Sequence, residues 1–344
     1  MTREPARPSS GRPGLAEVAA LSGVSIKTAS RALNGEGYVA EHTRARVQEA
    51  AQRLGYRLNG VARELRRGAA ASTLVGLLSG DLANPFYSRL ASGLERELRR
   101  RGMQLITAST DEDPDTELRI TESLIERRVR ALVVASTMAE HQHLVAERRH
   151  GIPIVFVDRP PVGVAADAVL LDNVDGGRLA AVHLLAAGHR RIGLVGDLSR
   201  LSTYRDRAAG FAEAMEDAGL PGWRDHVLED AHDVAAAERA VRALLARPEP
   251  PTAIFATNNR ITTGAVRALW RHPRPPALIG FDELDLGDVL EVSVLTHEPE
   301  EMGRQAAQLL LGRLDGDDGP PRLVLLPTRL IARASTTQRP GPGH

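Results

Sequence analysis

The sequence predicts two kinds of fold in one chain, an all-α helix-turn-helix domain followed by a larger α/β body. Residues 14–58 contain short amphipathic helices that are separated by a glycine turn. From residue 74 onward, continuous runs of Val, Ile and Leu alternate with amphipathic helices, which is typical of buried parallel strands. The chain has 344 residues, a length that suits about two or three domains.

The composition is that of an ordinary soluble protein and excludes several classes. The chain has no cysteine, which rules out a disulfide framework, a thiolate metal site and a cysteine nucleophile. No segment approaches about 18 consecutive apolar residues, and the first residues lack the apolar core of a signal peptide. We therefore expect a cytoplasmic protein that has no membrane partner.

The charge is distributed unevenly along the chain. The 44 basic and 44 acidic residues cancel, and a net charge of zero argues against a nucleic-acid partner. However, residues 1–68 carry a net charge of +6, and the rest of the chain carries −6. This asymmetry predicts a basic domain that meets a polyanion, attached to an acidic body. The alternative is a solvated charged surface with no such partner.

Local signals place the helices of the first domain. A helix begins at Leu15 and stops at Gly23, Ser25 can cap a second helix that ends at Asn34, and residues 43–54 form a third. Two short helices around a glycine turn make a helix-turn-helix. Helical spacing predicts one small core shared by Val18, Ala19, Val24, Ala29, Leu33, Val47, Ala50, Ala51 and Leu54.

The start of the second helix is left facing outward, where such helices meet base edges in the major groove. Arg31 can pair with guanine O6 and N7, Lys27 can donate to the same atoms, and Ile26 can contact a thymine methyl. Lys27 is the only lysine in the chain, although a solvated lysine is the alternative. The short polar residues around them suit phosphate oxygens: Ser25, Thr28, Ser30 and Asn34.

The run GLAEVAALSGVSIKTASRALNGEGYVAEHTRARVQEAAQRLGYRLNGVARELRRG resembles the DNA-binding domain of the LacI/GalR family of bacterial transcriptional regulators. The resemblance implies that Ile26, Lys27 and Arg31 read bases and that residues 59–67 form a hinge helix in the minor groove. There a leucine wedges between base pairs and bends the DNA. It also implies DNA contacts at Thr43, Asn59, Val61 and Ala62, and it assigns the wedge to Leu65.

Two residues depart from the family pattern near the hinge. Leu58 stands where proline is usual, and Glu64 places a carboxylate next to the wedge leucine, where phosphates would repel it. Leu65 could alternatively be a buried interdomain residue.

Strand-like runs follow one another along the body. They lie at residues 74–78, 104–108, 131–135, 152–157, 168–171, 191–196, 253–257 and 277–281. The resemblance extends over this region and implies two doubly wound, Rossmann-like subdomains of periplasmic-binding-protein type I. Their expected bounds are 71–170 with 300–327, and 171–297 with 329–335. The expected remainder is a hinge and linker at 59–70 and disordered tails at 1–13 and 338–344.

The resemblance also implies an effector pocket between the subdomains, at the carboxyl ends of the strands. Carboxylates accept from sugar hydroxyls, Arg and Asn donate, and an aromatic ring covers the C–H surface. The expected pocket residues are Phe86, Asp111, Asp158, Arg207, His232, Asn258, Asp282 and His297. Three positions depart from the family's usual residues: His232, Asn259 and His297.

The motifs of the sequence do not support an enzymatic function. The sequence has no G-x-S-x-G, G-x-x-x-x-G-K-[ST], G-x-G-x-x-G or H-E-x-x-H, and so no catalytic residue, cofactor or metal is predicted. His141 and His143 have no evident third ligand. Two alternatives remain, a solute-binding transport protein with the same cleft and a sugar-processing enzyme.

The predicted function is a repressor that a small molecule, expected to be a carbohydrate, controls allosterically. One headpiece reads only half a site, so a homodimer on a palindromic operator of double-stranded DNA is expected. Whether the effector releases or recruits DNA is left open.

Overall fold

A computed structural model of the chain describes residues 13–35, 37–56 and 72–337. Contacts divide the chain into two compact units, Met1–Ser72 and Thr73–His344. The predicted hinge and linker, the tail 338–344, and residues 1–12 of the N-terminal tail lie outside the described residues.

The first unit contains three helices: α1 (Leu15–Ser22), α2 (Ile26–Asn34) and α3 (Glu41–Leu54). Gly23 and Gly35 end the first two helices in the left-handed conformation, with φ of 65° and 68°. Ser25 caps α2 because its Oγ accepts a hydrogen bond from the Thr28 backbone N–H at 3.1 Å. The third helix starts two residues earlier than the sequence predicts.

The core of this unit is small and largely alanine. Side chains from all three helices meet in it, and Arg46 of α3 also donates to the Ser22 carbonyl at the end of α1. Leu33, Leu54 and Val24 are only partly buried around the core, and Ala32 is buried without having been predicted. The fully packed residues are Val18, Ala19, Ala29, Ala32, Val47, Ala50 and Ala51.

The second unit contains two sheets of parallel strands, which confirms the predicted doubly wound α/β fold. The first sheet has the order β11-β5-β4-β3-β1-β2. Its strands are β1 (Leu74–Ser79), β2 (Gln104–Ser109), β3 (Ala131–Val134), β4 (Ile154–Val157), β5 (Asp167–Leu171) and β11 (Leu323–Leu326).

The second sheet has the order β12-β10-β9-β8-β6-β7, and only β12 runs antiparallel to its neighbour. Its strands are β6 (Ile192–Val195), β7 (Val227–Leu228), β8 (Ala253–Ala256), β9 (Ala277–Phe281), β10 (Ser293–Thr296) and β12 (Arg329–Ile331). The predicted strands coincide with observed ones to within two residues. The strands β7, β10 and β11 were not predicted, and the subdomain bounds stay a prediction.

Helices cover both sheets. Those of the first sheet are α4 (Pro85–Arg100), α5 (Pro114–Glu126), α6 (Val145–Arg149) and α11 (Pro299–Leu314). Those of the second are α7 (Asn173–Ala186), α8 (Ser202–Asp217), α9 (Val234–Leu245) and α10 (Asn259–Leu269). Short 3₁₀ turns occupy Gln142–Leu144, Pro221–His226 and Ala334–Thr336. None of the described helices combines the length and the apolar composition that a membrane span requires.

Two helix pairs approach closely through glycine. A methyl group at Gly93 of α4 would overlap the Glu300 carbonyl of α11, and one at Gly303 of α11 would overlap the Leu90 carbonyl of α4. Gly177 and Gly210 make the same reciprocal contact between α7 and α8. These contacts fix the position of α4, whose first turn carries residues of the cleft.

Candidate functional site

The exposed face of α2 carries the side chains that the sequence assigns to base reading. Ile26 is 55% exposed although it is apolar, and Lys27 and Arg31 are also exposed. The opposite face is fixed by the buried Ala29 and Ala32. The helix therefore presents a cationic and apolar surface at its first two turns.

The short polar residues of α2 are partly used within the domain. Ser25 Oγ lies 2.9 Å from Thr28 Oγ1, and Asn34 Nδ2 donates to Ser30 Oγ at 3.2 Å. Thr43 is half-buried in the first turn of α3. The predicted contacts at Asn59, Val61, Ala62 and Leu65, and the departures at Leu58 and Glu64, lie outside the described residues.

In the second unit, a cleft lies between the carboxyl ends of the two sheets. Loops after β1, β2 and β4 face loops after β6, β8 and β9 across it. Asp158 and Asp282 end β4 and β9, each in the left-handed conformation with φ of 66° and 67°. Such strained positions for aspartate are concentrated at functional sites. The cleft has two compartments, which share Phe86 and Asp282.

The inner compartment is lined by Glu112, Asp158, Arg159, Asp197, Arg207 and Asn258, among others. Arg159 forms a bidentate ion pair with Glu112, at 2.6 and 2.7 Å, and both are nearly fully buried. Neither residue was predicted. Asp111 takes φ of 52° and stays exposed beside Ser109, so the structure brings its neighbour Glu112, and not Asp111, into the cleft.

Arg207 is held rigidly on the other side of the inner compartment. Its Nε donates to Asn173 Oδ1 at 2.8 Å, its Nη1 donates to the Thr257 carbonyl at 2.6 Å, and its guanidinium stacks 3.5 Å from the centre of the Phe281 ring. Asn173 and Phe281 thus orient Arg207 toward the cleft, and sequence reasoning did not single them out.

His232 and Asn258 share one carboxylate. His232 Nδ1 lies 2.7 Å from Asp197 Oδ1, and Asn258 Nδ2 donates to Asp197 Oδ2 at 2.7 Å. The hydrogen bond to Asp197 raises the pKa of His232. These predicted residues are therefore positioned by an aspartate that was not predicted.

The outer compartment is lined by Phe86, Arg89, Asn259, Asp282, Asp285 and His297, among others, and has a volume of about 400 Å³. Asp282 is 9% exposed and His297 is 6% exposed. Burial raises the pKa of Asp282 to about 6 and lowers the pKa of His297 to about 3. The imidazole is therefore neutral at pH 7, and the two side chains do not form an ion pair.

Direct contacts close the cleft. Arg260 forms an ion pair with Asp81, and Asn259 Nδ2 donates to Asn84 Oδ1 at 2.7 Å. Arg200, from the loop after β6, donates to Thr137 Oγ1 at 2.7 Å. With these contacts made, the inner compartment retains only about 40 Å³.

The structure thus brings seven of the eight predicted pocket residues to one cleft and leaves Asp111 outside it. No group of three or more His, Asp or Glu side chains suited to a metal occurs in the described parts of the chain. His141 is held by the Val162 backbone instead.

The fold and cleft define a class of protein, a helix-turn-helix domain attached to a two-subdomain ligand-binding body. Residues 14–59 match the family described as bacterial regulatory proteins, lacI family. Residues 72–334 match the periplasmic binding proteins and sugar binding domain of the LacI family. The chain therefore belongs to the LacI family and is a DNA-binding transcriptional regulator, as the sequence predicts.

Individual relatives match over nearly the whole chain. The HTH-type transcriptional regulator PtxS of Pseudomonas putida is 34% identical over 331 residues, 94% of this chain and 95% of PtxS. The ribose operon repressor of Escherichia coli K12 is 30% identical over 306 residues, 87% and 92% of the two chains. A solved complex of the transcriptional regulator CelR with cellobiose is 28% identical and has a TM-score of 0.69. The match covers 94% of this chain and 100% of the CelR chain. These matches do not favour the solute-binding alternative.

Proposed function

We propose that this protein is a homodimeric repressor that binds a palindromic operator through α2 and is controlled by an effector in the cleft. The observation that carries the DNA-binding part is the exposed face of Ile26, Lys27 and Arg31 on the second helix of a helix-turn-helix. A regulator that contacts the chromosome of a bacterium acts in the cytoplasm, which supports that location for this chain.

On the DNA, Arg31 pairs with guanine, Lys27 donates to purine acceptors, and Ile26 contacts a thymine methyl. The polar residues at the ends of α2 and α3 contact phosphates: Ser25, Thr28, Ser30, Asn34 and Thr43. The family resemblance adds minor-groove contacts from the paired hinges of the two subunits, through Asn59, Val61, Ala62 and Leu65. A dimer places two recognition helices in successive major grooves, so the operator is an inverted repeat.

The effector contacts the cleft residues Phe86, Asp158, Arg207, His232, Asn258, Asp282 and His297, with Glu112 in place of Asp111. The cleft offers carboxylates, a guanidinium, amides and one aromatic ring, which is a set that orients a small polyol. The CelR complex with cellobiose supports a carbohydrate here. We infer that the effector is bound and released without turnover, because the matching relatives are named as a transcriptional regulator and an operon repressor.

Selection of operators from random DNA by the full-length protein tests this function. The expected product is an inverted repeat with a guanine in each half-site, bound by a dimer. Recovery of sequences without twofold symmetry, or of no enriched sequence, would contradict the proposal.

A further inference from the structure

We propose that the outer compartment selects an uncharged polyhydroxylated effector and rejects phosphorylated or carboxylated sugars. This inference rests on the proposed function, since it concerns the effector of the same cleft. It goes further in naming the chemical class and in assigning the choice to Asp282, His297 and Asn259.

The position of unpartnered polar atoms locates the ligand. Within the described residues, Asp282 Oδ1, Asn259 Oδ1 and both ring nitrogens of His297 are buried and lack a hydrogen-bond partner, and all three residues line the outer compartment. Asp282 also borders the inner compartment, where the other unpartnered buried atom is Arg159 Nε, 3.5 Å from Asp158 Oδ2. Buried polar groups without partners are costly, so the outer compartment is where a ligand restores the most hydrogen bonds.

The chemistry of these atoms calls for hydroxyl groups. The oxygens of Asp282 and Asn259 only accept hydrogen bonds, whereas a neutral His297 offers one donor and one acceptor. A hydroxyl both donates and accepts, so two or three hydroxyls on one ring satisfy the set. A phosphate dianion or a carboxylate has no proton to donate and would leave the two acceptor oxygens unsatisfied.

The charges of the compartment also disfavour an anion. Arg89 is held by Glu300, at 2.9 and 3.0 Å, and Arg333 is held by Glu283, at 3.0 and 2.7 Å. Both lining arginines are therefore already neutralised. Asp285 and Asp288 form no ion pair with an arginine in the described parts of the chain, and Arg207 and Arg89 act on Asp282 only electrostatically. The lining therefore carries two arginines against four carboxylates, so an anion would meet net negative charge.

The remaining surface suits the C–H face of a sugar. The Phe86 ring is buried and lies 5.6 Å from the His297 ring, centre to centre, with Pro85, Leu284 and Pro299 around them. A compartment of about 400 Å³ is within the usual range for small-molecule sites. One or two sugar rings can therefore lie against Phe86 with their hydroxyls toward Asp282 and His297.

Matched sugars that differ in charge test the proposal. The full-length protein is titrated calorimetrically with glucose, glucose 6-phosphate and gluconate, with ribose and ribose 5-phosphate, and with cellobiose. At least one uncharged sugar is expected to bind, at least about tenfold more tightly than its charged counterpart. Tighter binding of a phosphate or carboxylate, or no binding by any uncharged member, overturns the proposal.

Two matched variants locate the effect. Asp282→Asn removes the buried acceptor charge, and Asp217→Asn makes the same change at an exposed position at the end of α8, outside the lining of both compartments. Binding of the sugar is expected to weaken at least about tenfold in the first variant and less than about twofold in the second. His297→Gln, which keeps one donor and one acceptor, is expected to retain preference for the uncharged sugar. Equal binding by Asp282→Asn and the unchanged protein overturns the proposal.

Operator affinity measured with the sugar that binds distinguishes a failure of this inference from a failure of the proposed function on which it rests. If an anionic sugar binds and changes operator affinity, the inference fails and the regulator function stands. If an uncharged sugar binds through Asp282 but operator affinity does not change, the selectivity stands and the proposed control of operator binding by the effector fails.

Discussion

Asp282 Oδ1 lies 3.6 Å from His297 Nδ1, and within the described residues neither atom has a hydrogen-bond partner. The distance is too long for a hydrogen bond, and burial disfavours the charged form of both groups. At pH 7 the imidazole is therefore neutral, whereas the carboxylate, with a pKa of about 6, is still largely ionised. Both side chains are thus buried with a polar atom that lacks a hydrogen-bond partner, which lowers the stability of the folded chain. An effector hydroxyl that lies beside the pair, within hydrogen-bond distance of both atoms, would satisfy them, so effector binding would lower the free energy of the cleft.

Asp282 is expected to make the stability of the effector-free protein depend on pH. The pKa of Asp282 is raised in the folded chain to about 6, against about 3.9 in the unfolded chain, so its contribution is present below about pH 4 and is lost as pH rises through 6. Asp282→Asn is therefore expected to gain stability relative to the unchanged protein between pH 4 and pH 6. Urea unfolding across this range measures the difference, and a constant difference would contradict the assignment.

His297 changes the stability with pH in the opposite direction to Asp282. Its pKa is lowered in the folded chain to about 3, against about 6.5 in the unfolded chain, so its contribution is present above about pH 6.5 and is lost as pH falls through 3. His297→Gln is expected to gain stability relative to the unchanged protein as the pH falls over this range. The same unfolding series measures it. A loss of relative stability on acidification would show that the buried imidazole accepts a proton readily.

Arg31→Ala tests base reading. The operator is expected to bind about 1 to 3 kcal/mol more weakly, with relaxed preference at one base pair per half-site, because a bidentate pair to guanine is lost. The control is Arg53→Ala, which removes the same charge from an exposed position on α3. Fluorescence anisotropy on the operator and on random DNA gives both affinities. Equal loss on the two DNAs would assign Arg31 to phosphate contact instead.

Much of the helix-turn-helix domain could be predicted because its signals are local. Gly23, Ser25 and Gly35 each fix a helix end through their own backbone or nearest neighbours. The strands followed likewise from Val, Ile and Leu runs, whereas β7 has only two residues and β11 is half exposed, so neither shows a continuous buried run.

The cleft was predictable only in part, because its partners come from distant positions. Arg159 and Glu112 are 47 residues apart in sequence, and nothing local pairs them. The choice between Asp111 and Glu112 depends on two successive residues with positive φ, which turn one side chain outward and its neighbour inward. The sequence places two successive carboxylates just after the end of β2, but it does not show which of the two side chains enters the cleft.

The contacts across the cleft predict the behaviour of Arg260→Gln. Without the ion pair to Asp81, the two subdomains are expected to separate more often in the absence of effector, which raises the radius of gyration measured by small-angle X-ray scattering. Arg267→Gln, an exposed change on the same helix, serves as the control. Identical scattering from the two variants would show that Arg260 does not hold the cleft closed.

The close contact of α4 and α11 predicts the effect of a single methyl group. Gly303→Ala places a Cβ against the Leu90 carbonyl, and the free energy of unfolding is expected to fall by about 1 to 3 kcal/mol. At Gly222 a Cβ meets no atom within 4 Å among the described residues, so Gly222→Ala is expected to be nearly neutral. Equal stability of the two variants by urea unfolding would contradict the packing.

An effector bound at Asp282 is expected to control operator affinity. The most direct measurement is the operator-binding isotherm of the full-length protein with and without the uncharged sugar that binds, repeated on Asp282→Asn. The sugar is expected to change the operator dissociation constant at least about fivefold in the unchanged protein and by much less in the variant. The same change in both proteins, or no change in either, would contradict it.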